Sequence, residues 1–125
     1  MANPLDFSRG MPPSLTVCNT DSLGEQIQRA HPAARVVKTL NTVNADVMVN
    51  PAVVSGDHTI FVCGDDAGAK ETATAVLVDF GWPRHAILDL GGISACRGTE
   101  MYLPLWVAMR QATGPGHLNI RVITE

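Results

Sequence analysis

Residues 58–90 carry the pattern that most narrows the fold. His58-Thr59-Ile60-Phe61-Val62-Cys63 contains four consecutive apolar residues, as in a strand covered on both faces. Gly64 turns the chain and Asp66 stands at an N-cap position. Ala69, Ala73, Val76, Leu77 and Phe80 then fall at i, i+4, i+7, i+8 and i+11, which predicts a helix over 67–80 with Gly81 just past its end. Ala86 to Leu90 reads as the next strand. Strand, helix and strand in that order predict a right-handed βαβ unit with parallel strands.

The flanks extend the α/β rhythm. Residues 1–20 are punctuated by Pro4, Gly10, Pro12 and Pro13 and read as irregular. Ser22 and Glu25 stand in capping-box spacing ahead of Leu23, Ile27 and Ala30, which predicts a helix over 22–31 ended by Pro32. The β-branched run 35–40 predicts a strand, followed by a turn or two of helix over 43–49 with Thr42 as N-cap and Pro51 as stop. Residues 50–57 read as a loop. A last helix is expected over 98–112, kinked at Pro104 or restarted there. His117 to Ile123 alternates as an edge strand would. The expected fold is therefore α/β, one domain over 1–125, with mostly parallel strands near 35–40, 58–63, 86–90 and 117–123.

The 125 residues carry a net charge of −3 and scattered basic residues, which argues against nucleic acid or an anionic membrane as main partner. No apolar run approaches the roughly 18 residues that span a bilayer. There is no secretory signal pattern, and the three cysteines are widely spaced without a C-x-x-C. A reducing cytoplasm is the expected compartment, with neither a zinc site nor a disulfide framework.

The motifs point to no catalytic acid, base or nucleophile and to no metal. Two carboxylates at Asp65-Asp66 repel phosphate and suit the helix dipole instead; a metal on the pair lacks further ligands nearby. Neither G-x-G-x-x-G nor G-x-x-x-x-G-K-[ST] occurs. Asn41-Thr42 lies at the carboxyl end of the strand 35–40, where open α/β sheets bind ligands. Asn41 is either a turn residue bonding its own backbone or a polar contact in a cleft. Arg97 and Glu100 read as an i, i+3 pair, or Arg97 as an anion holder. The four histidines lack partners at motif spacing.

Several segments together resemble one family. Asn3-Pro4-Leu5, Arg35 to Thr42, Val62 to Asp66 with Lys70, Leu88-Asp89-Leu90-Gly91, Arg97, Glu100, Pro104-Leu105 and Asn119-Ile120-Arg121 are similar to successive pieces of NADPH-dependent reductases of the deazaflavin, coenzyme F420, type. The cytosolic domain of six-transmembrane metalloreductases shares some of them. The resemblance implies the C-terminal half of a Rossmann-type oxidoreductase that moves hydride between NADP and a deazaflavin or another acceptor. It implies that Asn3, Pro4, Leu5, Asn41 and Thr42 line the cofactor cleft, and that Gly92, Ile93 and Arg97 wall the substrate pocket. In the deazaflavin reductases a histidine often stands where Asn41 stands here.

The family's Gly-rich turn precedes the matched segments. The expectation is thus weak or absent NADP binding by the chain alone, and association with a second copy or with an N-terminal half, paired through residues 35–40. The alternative is a non-catalytic binding or assembly module that keeps the sheet for a partner.

Overall fold

The computed structural model describes residues 2–125. Its centre is a three-stranded sheet of β3 (Lys38–Thr39), β4 (Ile60–Cys63) and β5 (Ile87–Asp89), in that spatial order. β4 and β5 run parallel, joined by α3 (Ala67–Asp79), as the βαβ pattern predicts. Asp66 caps α3 by accepting from the Ala69 N–H at 2.7 Å, and Gly81 follows with φ +100°.

β3 departs from expectation: it pairs with β4 antiparallel, Lys38 opposite Cys63 and Thr39 opposite Val62. The chain between them holds only α2 (Ala45–Val49) and a 3-10 turn, Pro51–Val53. These two short pieces reverse the chain, where a parallel return needs a crossover that carries it back along the sheet. Asn44, not Thr42, stands at the N-cap of α2, without a side-chain bond.

The expected strand 117–123 is also corrected. Thr59 N–H does reach the Ile120 carbonyl at 2.8 Å. But the Ile120 N–H is taken by the Asn119 side chain, and the Val122 N–H by the Thr59 hydroxyl. Side-chain acceptors, one local and one from Thr59, thus displace the ladder. The N-terminal stretch is less irregular than its prolines predict, since β1 (Leu5–Asp6) pairs antiparallel with β2 (Ser14–Leu15).

The helix beginning at Ser22 is present as α1 (Leu23–Ala30). The helix expected over 98–112 is two: α4 (Cys96–Met101) and α5 (Leu103–Thr113), with Pro104 in the first turn of the second. The core is Val43, Val47, Ile60, Val62, Leu77, Trp82 and Ala86, between sheet, α2 and α3. The apolar stripe of α1 does not face it: α1 buries Gly24 and Glu25 and leaves Ile27 exposed. That face packs on α4 so closely that a Cβ at position 24 would lie 2.5 Å from Cys96 Sγ.

Candidate functional site

The end of β3 carries the segment that builds the site. Leu40 adopts φ +65°, a left-handed conformation that costs a non-glycine residue roughly 1–2 kcal/mol. The turn that follows takes Asn41 and Thr42 into the interior, where they are 5% and 2% exposed. Asn41 Nδ2 donates to Asn3 Oδ1 at 3.0 Å and to the Thr99 carbonyl at 2.9 Å. Asn3 Nδ2 returns a longer bond to the Asn41 carbonyl at 3.4 Å. Asn41 therefore joins the N-terminal segment to α4 and is not a turn residue bonding its own backbone.

Asn3, Leu5 and Asn41 share a cavity of about 230 Å3 whose far wall is Leu103, Trp106 and Val107 of α5. Pro4 is buried with its carbonyl bonded to the Thr16 N–H at 2.8 Å. Thr42 faces the other way, into a second cavity of about 170 Å3 with Phe61, Leu90, Thr99, Tyr102 and Ile120. The Asn41-Thr42 step thus contributes one residue to each. Among the described residues, two buried polar side-chain atoms have no hydrogen-bond partner: Trp106 Nε1 and Tyr102 Oη. One side chain lines each cavity. Tyr102, at the junction of α4 and α5, and Trp106, one turn later in α5, were not singled out from the sequence; their spacing of four was the available signal.

Gly92, Ile93 and Arg97 line neither cavity. The Ile93 N–H donates to Asp65 Oδ1 at 2.8 Å, so Asp65 fixes the loop after β5 while Asp66 caps α3. Arg97 does not pair with Glu100. It grips Glu25 with two bonds, 3.0 and 2.7 Å, and holds the Glu25 carboxyl below its ordinary value. Ser22 Oγ, which accepts from the Glu25 N–H, also donates to that carboxylate at 2.7 Å.

Glu100 is only 1% exposed. It accepts from the Leu23 and Gly24 N–H groups at 2.8 and 2.9 Å and from Lys38 Nζ at 2.9 Å. A carboxylate at a helix N-terminus opposes the positive end of its dipole. Lys38 Nζ also donates to the Ala2 carbonyl. This buried pair ties β3, α1, α4 and the N-terminal segment together.

No cluster of three His, Cys, Asp or Glu side chains among the described residues is placed to hold a metal. Cys63 and Cys96 are free thiols with sulfurs 3.5 Å apart. His58, at the opposite end of β4, has both ring nitrogens engaged, with the Pro51 carbonyl at 3.0 Å and Asn119 Nδ2 at 2.9 Å. No helix among the described residues is long and apolar enough to cross a membrane.

A solved structure from Arthrobacter sp. FB24, described as a "putative f420 dependent nadp-reductase", matches this chain with a TM-score of 0.93 and 51% sequence identity. The likeness supports the F420-type NADP reductase family. The match covers 98% of this chain and 56% of the Arthrobacter protein, so the chain spans about half of that relative's length. No family model matches the chain, and no curated protein does. Asn3 and Asn41, two of the residues that carry the resemblance, are hydrogen-bonded to each other.

Proposed function

We propose that this chain forms part of an NADP-dependent oxidoreductase of the partial Rossmann type, moving hydride between NADPH and a deazaflavin such as coenzyme F420, or another acceptor. The observation that carries the reading is the meeting of Asn3, Leu5 and Asn41 at one cavity whose far wall includes the unpartnered indole of Trp106. Engineered apolar cavities of about 150 Å3 accept benzene, so about 230 Å3 has room for a ring with a carboxamide. Leu103, Trp106 and Val107 offer an apolar wall for the face of such a ring. NADP supplies the hydride chemistry when bound. The chain's contribution is to hold a ring in position, which hydride transfer needs more than an acid or base.

The pyrophosphate has no cradle in the 125 residues, so in this reading other residues hold it. The natural association is with a second copy or a dinucleotide-binding half. The exposed Leu88, Leu105 and Ile123 and the unpaired outer edge of β3 support that. One observation favours the assembly-module alternative: the Asn41 amide and the Arg97 guanidinium are already bonded within the chain.

The two tryptophans provide the test. Trp82 Nε1 donates to the Met48 carbonyl at 3.0 Å and serves as an internal reference. In a 15N-labelled sample, millimolar nicotinamide or NADPH is expected to move the Trp106 indole resonance and leave that of Trp82 in place. Affinity for NADPH is expected in the millimolar range, and a micromolar constant by calorimetry would contradict the view that its phosphates are held elsewhere. If neither ligand moves the Trp106 resonance, the cavity is not a cofactor site and the assembly reading stands.

A further inference from the structure

We propose that Cys63 and Cys96 form a redox-modification site, a dithiol that closes to an intramolecular disulfide on exposure to a hydroperoxide. The two lie 33 positions apart in the chain, a separation that carries no motif. Folding brings them together: Cys63 ends β4, Cys96 opens α4, and their buried sulfurs are 3.5 Å apart. A disulfide needs about 2.05 Å between its sulfurs, so about 1.5 Å remains to close. Gly24 of α1 lies against Cys96 Sγ, and Lys38 stands opposite Cys63 in the strand pair. Among the described residues the pair belongs to no cluster of three metal-ligating side chains. The inference uses neither cavity and stands apart from the oxidoreductase reading.

The two thiols are not equivalent. The Cys96 sulfhydryl, and after it the Lys38 ammonium, hold the Cys63 thiol below its ordinary value against the cost of burial. Cys96 is pushed up by its sulfur neighbour and by burial. Cys63 is therefore the thiolate that attacks. An S–O bond forms, the peroxide O–O bond breaks, hydroxide leaves, and Cys63 becomes a sulfenic acid. The Cys96 sulfur then attacks the Cys63 sulfur. The S–O bond breaks, and the departing hydroxide takes the Cys96 proton as water. In sum, two thiols and one hydrogen peroxide give one disulfide and two waters, with two electrons passing from sulfur to peroxide. The cover over the pair is thin, since β3 pairs with β4 through two residues and α1 has eight. Elements so short open locally before the core does, which admits a reagent little larger than water. The bridge ties the sheet to the helix that carries Thr99 and Glu100, the partners of Asn41 and Lys38.

Cys18 is the third free thiol and is half-buried, so the test uses Cys18→Ser. The folded variant is exposed to millimolar hydrogen peroxide, quenched with catalase, unfolded in urea and alkylated, and its mass is measured. The expected product is a monomer lighter by two hydrogens, with no alkylated cysteine and with a tryptic peptide joining Cys63 to Cys96. Dithiothreitol should restore both thiols. Closing a loop of this length should raise the folding equilibrium constant on the order of a hundredfold in denaturant titration. In the same background Cys96→Ala should leave Cys63 to gain oxygen, and Cys63→Ala should leave Cys96 unoxidised. Two alkylatable thiols after exposure, disulfide-linked dimers, or oxygen adducts in place of the bridge would each overturn the proposal. So would a bridged chain that unfolds at the same or a lower denaturant concentration, or the reverse pattern in the two single-thiol variants.

Discussion

Glu100 illustrates how much one residue depends on its partners. Its carboxylate is enclosed by the Lys38 ammonium and two N–H groups at the start of α1. Removing one member of a buried ion pair leaves an uncompensated charge and costs about 3–5 kcal/mol. Lys38→Met should therefore lower unfolding free energy by that order in urea titration, and Lys38→Met with Glu100→Leu should recover part of it. Glu25 is paired nearer the surface, with the half-exposed Arg97. Arg97, by hydrogen bonding, holds its carboxyl below the ordinary 4.5, and Arg29 holds Asp21 down at about 2 from 3.8. In both, the folded value lies below the unfolded one, so the stabilisation is full above pH 4.5. It is lost as pH falls through the folded values. Arg97→Met should remove Glu25's share, making the fall in thermal midpoint between pH 4.5 and 2 shallower. An unchanged acid limb would contradict this pairing.

Among the elements, α1 depends on contact more than on propensity. Eight residues are too few for an independent helix, and its buried face is a glycine and a glutamate. Gly24 is required for steric reasons, since a methyl there would meet Cys96 Sγ at 2.5 Å and Cys96 Cβ at 3.1 Å. Gly24→Ala should destabilise by about 1–3 kcal/mol through overpacking, although alanine is the better helix former. A neutral or stabilising result in denaturant unfolding would show that α4 can retreat from α1. The Cys63 sulfur beside Cys96, together with burial, pushes the Cys96 thiol up, so in the folded chain it should resist alkylation.

For the whole molecule the question is what covers its remaining apolar surface. Among the described residues β5 and β3 each have one strand neighbour, and Leu88 of β5, Leu105 of α5 and Ile123 are exposed. Unpaired edges and apolar patches favour association. Light scattering should report a dimer at tens of micromolar or, after mixing with a dinucleotide-binding half, a one-to-one complex. A monomer in both experiments would refute the partner proposal.

What was legible in the sequence is what depends on neighbours along the chain. The Ser22 and Asp66 caps, the period of α3, its Gly81 stop, the restart at Pro104 and the parallel β4–β5 pair all follow from spacings within about thirty residues. The resemblance added which residues to watch, and Asn3, Leu5 and Asn41 do meet at one cavity. Only the tertiary structure decided the antiparallel seat of β3, the partners of Glu25 and Glu100, and the loss of a ladder at 117–123. It also separated Asn41 from Thr42 into two cavities and kept Gly92, Ile93 and Arg97 out of both. The physical reason is range. A cap or a helical stripe is set by covalent geometry nearby, whereas a carboxylate takes whichever donors packing brings to it. Here those donors lie 62 to 77 residues away for Glu100.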